Sequence, residues 1–97
     1  MSRSLIERRL TDVSHRLKRA REEMAVLDEQ LAVLADHADE ARIRALVSET
    51  PLANKEYHEA QRHTDAMQRS RRVVAASISD LQQAQDELLD RLVIESH

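Results

Sequence analysis

Histidine and arginine are the side chains with which this sequence could do chemistry. The five histidines are His15, His37, His58, His63 and His97. A metal ion needs three or four converging ligands. A dinuclear site in a helical bundle takes Glu-x-x-His from each of two helices. No Glu-x-x-His occurs here, and the nearest spacing, Asp12-Val13-Ser14-His15, stands alone. His37 and Glu40 share a helical face and His58 falls level with Glu40, which does not close a ligand set. No metal and no cofactor is therefore expected. The chain has neither glycine nor cysteine, so it offers no phosphate-cradling loop and no thiol nucleophile. No nucleophile and base are paired on a concave surface, and the expectation is a protein that is not an enzyme.

The cations form two groups. Arg8, Arg9, Arg16, Lys18, Arg19 and Arg21 could grip phosphates. The segment expected to face them carries Asp80, Asp86, Glu87 and Asp90, and no aromatic lies nearby to stack on bases. Nucleic acid is not expected as a partner. The second group, Arg69, Arg71 and Arg72, could hold an anionic ligand. Arg71, however, falls on the apolar seam described next. An arginine there lays its stem along apolar surface, keeps its head in water and fixes register.

The elements that must position these groups follow from one spacing. Ile6, Leu10, Val13, Leu17, Ala20, Met24, Leu27, Leu31, Leu34, Ala38, Ala41 and Ala45 recur at alternating intervals of four and three. Ala53, Tyr57, Ala60, Thr64, Met67, Arg71, Val74, Ile78, Leu81, Gln85, Leu88 and Leu92 repeat the pattern. The only proline, Pro51, separates the two series. Two equal heptad seams around one turn predict an all-α fold, a long antiparallel two-helix hairpin of coiled-coil type. The helices are expected at about 4–47 and 51–95, each about 65–70 Å long at 1.5 Å per residue. They make one domain over residues 1–97, with the turn at 48–50. Ser4 and Glu7 read as a capping box opening the first helix. Thr50 reads as the N-cap of the second, with Pro51 at the first helical position, where its missing N–H costs nothing.

A single register aligns the seams from turn to termini. It sets Leu31 opposite Met67, Ala20 opposite Ile78, Leu17 opposite Leu81 and Leu10 opposite Leu88. Ala41 meets Tyr57, and Arg3 meets Glu95 as a candidate ion pair. The charges agree. Residues 3–21 carry seven positive and two negative charges, and residues 77–95 carry one positive and five negative. Residues 22–47 carry two positive and seven negative, against five positive and three negative over 51–76.

A second apolar face lies beside the seam. With Leu10 as heptad position a, the c positions should be polar. They include Leu5, Val26, Val33 and Val47 on the first helix and Ala66, Val73 and Ile94 on the second. In an antiparallel pair these fall on one flank, with small residues between them at Ser70, Ser77 and Ala84. A lone hairpin has little core, and helices draw most of their stability from tertiary packing. The expectation is a homodimer, two hairpins making a four-helix bundle. Self-association or partner binding is assigned to Val26, Val33, Ala66, Ser70, Val73 and Ser77.

The stretch Asp65-x3-Arg69-x2-Arg72-x3-Ala76-x3-Asp80 resembles the Glu-x3-Ser-x2-Arg-x3-Gln-x3-Asp motif of actinobacterial anti-sigma factors of the RsiG type. Those proteins are antiparallel helical hairpins that bind cyclic di-GMP. Arg72 and Asp80 coincide with the motif and Asp65 stands for its glutamate, while Arg69 and Ala76 replace its serine and glutamine. More widely, the chain resembles small actinobacterial helical-hairpin coiled-coil proteins. The resemblance implies a transcription regulator of anti-sigma type, with an anionic nucleotide near Arg69, Arg71 and Arg72. The reading taken from the residues is an adaptor or regulator that binds a partner protein of unknown identity.

The rest of the composition sets bounds. The formal net charge is −3, which calls for no polyanion. No apolar run is long enough to span a membrane, and charges at Arg3, Glu7, Arg8 and Arg9 come too early for a signal peptide. A cytoplasmic protein is expected. Thirteen arginines against two lysines hint at a GC-rich bacterial genome.

Overall fold

The structure, a computed structural model, describes residues 2–96. It is a helical hairpin: α1 spans Arg3–Ser48 and α2 spans Pro51–Glu95. Both are unbroken, as expected where neither proline nor glycine falls inside a helix. Two compact units are distinguished, and both helices run through each. The turn unit is Ala25–Arg72, and the terminal unit joins Met1–Met24 to Val73–His97.

Ser2, not Ser4, starts α1. Its Oγ accepts from the Leu5 N–H at 3.2 Å, and its carbonyl accepts from the Ile6 N–H at 3.0 Å. The expected capping box is displaced because Glu7 is engaged elsewhere. Its carboxylate takes the Arg3 Nε–H at 3.1 Å, an (i, i+4) pair. That contact also replaces the expected Arg3–Glu95 pair across the helices, since the local partner needs no second chain segment to be held in place.

At the other end α1 runs one residue beyond expectation, and the turn shrinks to Glu49 and Thr50. Glu49 has φ 54°, the left-handed conformation that commonly closes a helix. Its N–H reaches back to the Ala45 carbonyl at 3.1 Å. Thr50 caps α2 as expected: its Oγ1 accepts from the Ala53 N–H at 3.2 Å.

In the turn unit the core is alanine. Ala38, Ala41 and Ala60 are buried together, with Tyr57 packed against them, which fulfils the pairing of Tyr57 with Ala41. Ala45, Ala53 and Thr64 are also buried, while Leu27, Leu31, Leu34 and Met67 are half-buried. In the terminal unit Ile6, Leu17, Ala20 and Val74 are buried, with Leu10, Val13, Ile78, Leu81, Leu88 and Leu92 half-buried. Every residue of both seams is at least half-buried except Arg71.

Polar seam residues of α2 fix the register by bonding to α1. Thr64 Oγ1 donates to the Leu34 carbonyl at 3.3 Å and to the Ala60 carbonyl of its own helix at 3.0 Å. Leu34 is the residue that the seam register sets opposite Thr64. In the terminal unit, Gln85 Nε2 donates to Ser14 Oγ at 3.2 Å. The third such residue is Arg71, whose Nε–H bonds the carboxylate of Asp28.

Candidate interaction surface

A heptad helix buries positions a and d and leaves the rest wet. The c positions of this chain are wet as well, but several carry aliphatic side chains where polar ones are the norm. Val26 is 52% exposed, Val33 68%, Val73 70% and Ile94 70%. Ala66, Ser70 and Ser77 are exposed as well. The residues assigned to self-association are thus all accessible. Leu5 is the exception on this flank and is half-buried.

The grooves of the molecule show which of these residues meet. In the turn unit one groove is lined by Glu29, Gln30, Val33, Leu34, His63 and Met67. It puts Val33 of α1 on the same side as His63 of α2, beside the apolar floor of Leu34 and Met67. A neighbouring groove brings His37 and Arg44 of α1 to Glu56, Glu59 and His63 of α2. In the terminal unit Ser77 shares a groove with Arg16, Arg19 and Glu23. Arg9 and Asp12 share another with Ala84, Glu87 and Arg91. Apart from Glu29 at position f, these are c and g residues with a seam residue beneath, so in each unit the c and g positions of both helices form one flank. Ser70 turns its hydroxyl back to the Ala66 carbonyl at 3.3 Å. Its donor is spent within the helix, and the side chain leaves the flank small.

Sequence reasoning missed Leu52, which is 66% exposed. It lies two heptads before Ala66 on the same c position, so the signal was present. It also missed Ile43 and Leu46, both exposed. They occupy positions f and b, where the heptad gives no reason to look. With Val47 they leave exposed aliphatic side chains close to the turn in sequence.

The arginines separate. Arg71 leans on Asp28, and the hydrogen bond and charge of that carboxylate raise its pKa above the ordinary guanidinium value. Arg69 and Arg72 are exposed and lie on positions f and b. They form no ion pair among the described residues. Asp65, the first residue of the motif-like stretch, accepts from Gln61 Nε2 at 3.0 Å.

The N-terminal basic group is exposed. Arg16 pairs with Asp12 of its own helix at 3.2 Å. The Arg71–Asp28 contact is the one ion pair that crosses between the helices among the described residues. The opposite segment charges therefore act as a diffuse field and not as a ladder of bonds. His58 lies against Tyr57, with ring centroids 5.4 Å apart. No three His, Asp or Glu side chains converge on a metal-sized site among the described residues, and His97 lies outside those residues. No helix is long and apolar enough to cross a membrane. Comparison with protein-family models, with curated proteins and with solved structures finds no match for this chain.

Proposed function

We propose that this chain is a non-enzymatic, self-associating helical hairpin that binds a partner protein as an adaptor or regulator. The observation that carries this reading is the exposed aliphatic residues at heptad position c within each unit, Val26, Val33, Val47 and Leu52 in the turn unit and Val73 and Ile94 in the terminal unit. Single exposed apolar residues need no explanation. Residues that repeat at heptad spacing on one flank are an interface waiting for an occupant. The half-buried seam supports the same reading, because a second layer of helices removes the remaining apolar surface from water. Ser70, Ser77 and Ala66 keep that flank free of bulk, so helices can approach closely. Light scattering over a range of concentrations tests the self-association. A dimer at micromolar concentration is expected, and a strict monomer there rejects the reading.

The second reading is a transcription regulator of anti-sigma type with an anionic nucleotide ligand. Arg69 and Arg72, exposed and outside any ion pair among the described residues, support it. Titration with cyclic di-GMP tests it: neither heat nor a shift in thermal midpoint removes this reading.

A further inference from the structure

We infer that the outer stripe of α1 in the turn unit docks a basic amphipathic helix of a partner protein. The inference rests on partner binding as proposed above, but not on self-association, because it uses another side of the hairpin. Positions b and f of a heptad helix lie away from the seam and outside the c and g flank. Between residues 29 and 46 they are Glu29, Ala32, Asp36, Asp39, Ile43 and Leu46. All six belong to the turn unit and all are exposed, Ile43 at 53% and Leu46 at 65%. Glu29 also lines a groove of the flank.

The stripe holds three carboxylates and no cation. Asp39 stands 4.0 Å from Arg42 of its own helix. Glu29 and Asp36 form no ion pair among the described residues. The aliphatic pair Ile43 and Leu46 closes the stripe at its turn end, and Asp36 lies about 10 Å along the helix from Ile43 at 1.5 Å per residue. An occupant that fits brings apolar side chains to Ile43 and Leu46 and Lys or Arg to Asp36 and Asp39. Charge matched in this way selects the partner and speeds its encounter.

A second copy of the chain does not supply that surface. Laying α1 on α1 along the whole stripe sets carboxylate on carboxylate, or carboxylate on Ile43 and Leu46, and an unpaired charge is costly to desolvate. A contact confined to Ile43 and Leu46 avoids this but falls far short of the roughly 800 Å² per partner that a stable interface buries. On α2 the b and f positions of the same unit are Lys55, His58, Arg62, Asp65, Arg69 and Arg72, after Pro51. Their charge suits the stripe, but no Leu, Ile, Val or Met is among them to cover Ile43 and Leu46. That contact is also heterologous, so it leaves a stripe open on one copy and closes no dimer. A separate helix that joins cations to aliphatic residues meets both demands.

Two synthetic helical peptides test the inference. Each has about 18 residues, about 27 Å at 1.5 Å per residue, with leucine at heptad a and d. One carries lysine at e and g, and the other carries glutamate there. Fluorescence anisotropy of the labelled peptides reads binding to the full chain. The lysine peptide is expected to bind at micromolar concentration, more weakly as salt rises, and the glutamate peptide is not. Ile43→Gln combined with Leu46→Gln keeps good helix formers at exposed sites and is expected to weaken the lysine peptide about tenfold or more. Asp36→Lys combined with Asp39→Lys is expected to exclude the lysine peptide and admit the glutamate one. Val33→Gln, on the flank, is expected to change neither. If both peptides bind alike, or the lysine peptide ignores the stripe variants, the inference is overturned. If Val33→Gln weakens it instead, the partner helix sits on the flank, and partner binding stands while the stripe does not. If the stripe variants turn a dimer into a monomer in light scattering, the occupant is a second copy and the inference fails. Absence of any binding overturns the inference and leaves self-association untouched.

Discussion

Glu49 holds the left-handed backbone that a chain without glycine must assign to some other residue. For a residue with a Cβ that conformation costs about 1–2 kcal/mol. Glycine would remove most of the cost but would loosen the unfolded chain by about 0.5–1 kcal/mol. Glu49→Gly is therefore expected to stabilise the protein modestly, by about 0.5–1 kcal/mol, as read from chemical denaturation. An unchanged or lower stability would show that the turn gains something from the glutamate side chain. Next to it, Thr50→Ala removes the acceptor for the Ala53 N–H and is expected to cost about 1 kcal/mol. Arg71 works differently. Its raised pKa comes from Asp28, and a cation whose folded pKa is raised contributes below its unfolded value and loses that contribution only as pH climbs past the folded one. The arginine itself thus adds no pH dependence near neutrality. Arg71→Leu extends the apolar seam beside Leu27 and exchanges an exposed pair, of a kind that adds little, for apolar contact. The thermal midpoint is expected to rise, more so in high salt, where the wild-type pair is screened. A fall would mean that Arg71 does more than hold register.

Among the elements, the seams were legible because a period of seven leaves few alternatives over twelve residues on each helix. The burial of Ala38, Ala41, Leu17 and Val74 follows that period residue by residue. The helix start was not legible. Ser2 and Ser4 are both competent caps, and the choice turned on Glu7, which bonds Arg3 instead of reaching back to a serine. The Arg3–Glu95 pair expected across the helices gives way to Arg3–Glu7 for a related reason. Long side chains on exposed positions find a partner one turn away at less entropic cost than one on the other helix. The flank was legible at Val26, Val33 and Val73, but Ile43 and Leu46 carry no periodic signal. Seam burial makes a prediction of its own. Leu17 is 2% exposed, so Leu17→Ala opens a void that the stiff neighbouring helix fills poorly. A loss of about 2–3 kcal/mol is expected. A loss below about 1 kcal/mol would mean that the two helices close over the gap.

For the molecule as a whole, the balance between seam and flank decides what is stable alone. The aliphatic residues of the seam are mostly half-buried, and a side chain left partly wet delivers only part of the roughly 1.5–3 kcal/mol that full burial gives. Folding and association should therefore be coupled, and anything that binds only the folded chain raises its apparent stability by mass action. The thermal midpoint is accordingly expected to climb with protein concentration. Val33→Glu separates the two contributions. Residue 33 is 68% exposed, so the glutamate meets water in the single hairpin and should change its intrinsic stability by no more than about 0.5 kcal/mol. In a dimer the same carboxylate is pressed into an apolar layer without a partner, which the complex cannot sustain. The variant should therefore sediment as a monomer, and its midpoint should lose its concentration dependence while staying close to the wild-type value extrapolated to high dilution. If Val33→Glu remains dimeric, the flank is not the interface, whatever the wild-type oligomer proves to be. If it unfolds at every concentration, the single hairpin is not a folded species, and the seam is sufficient only when a second copy covers the flank.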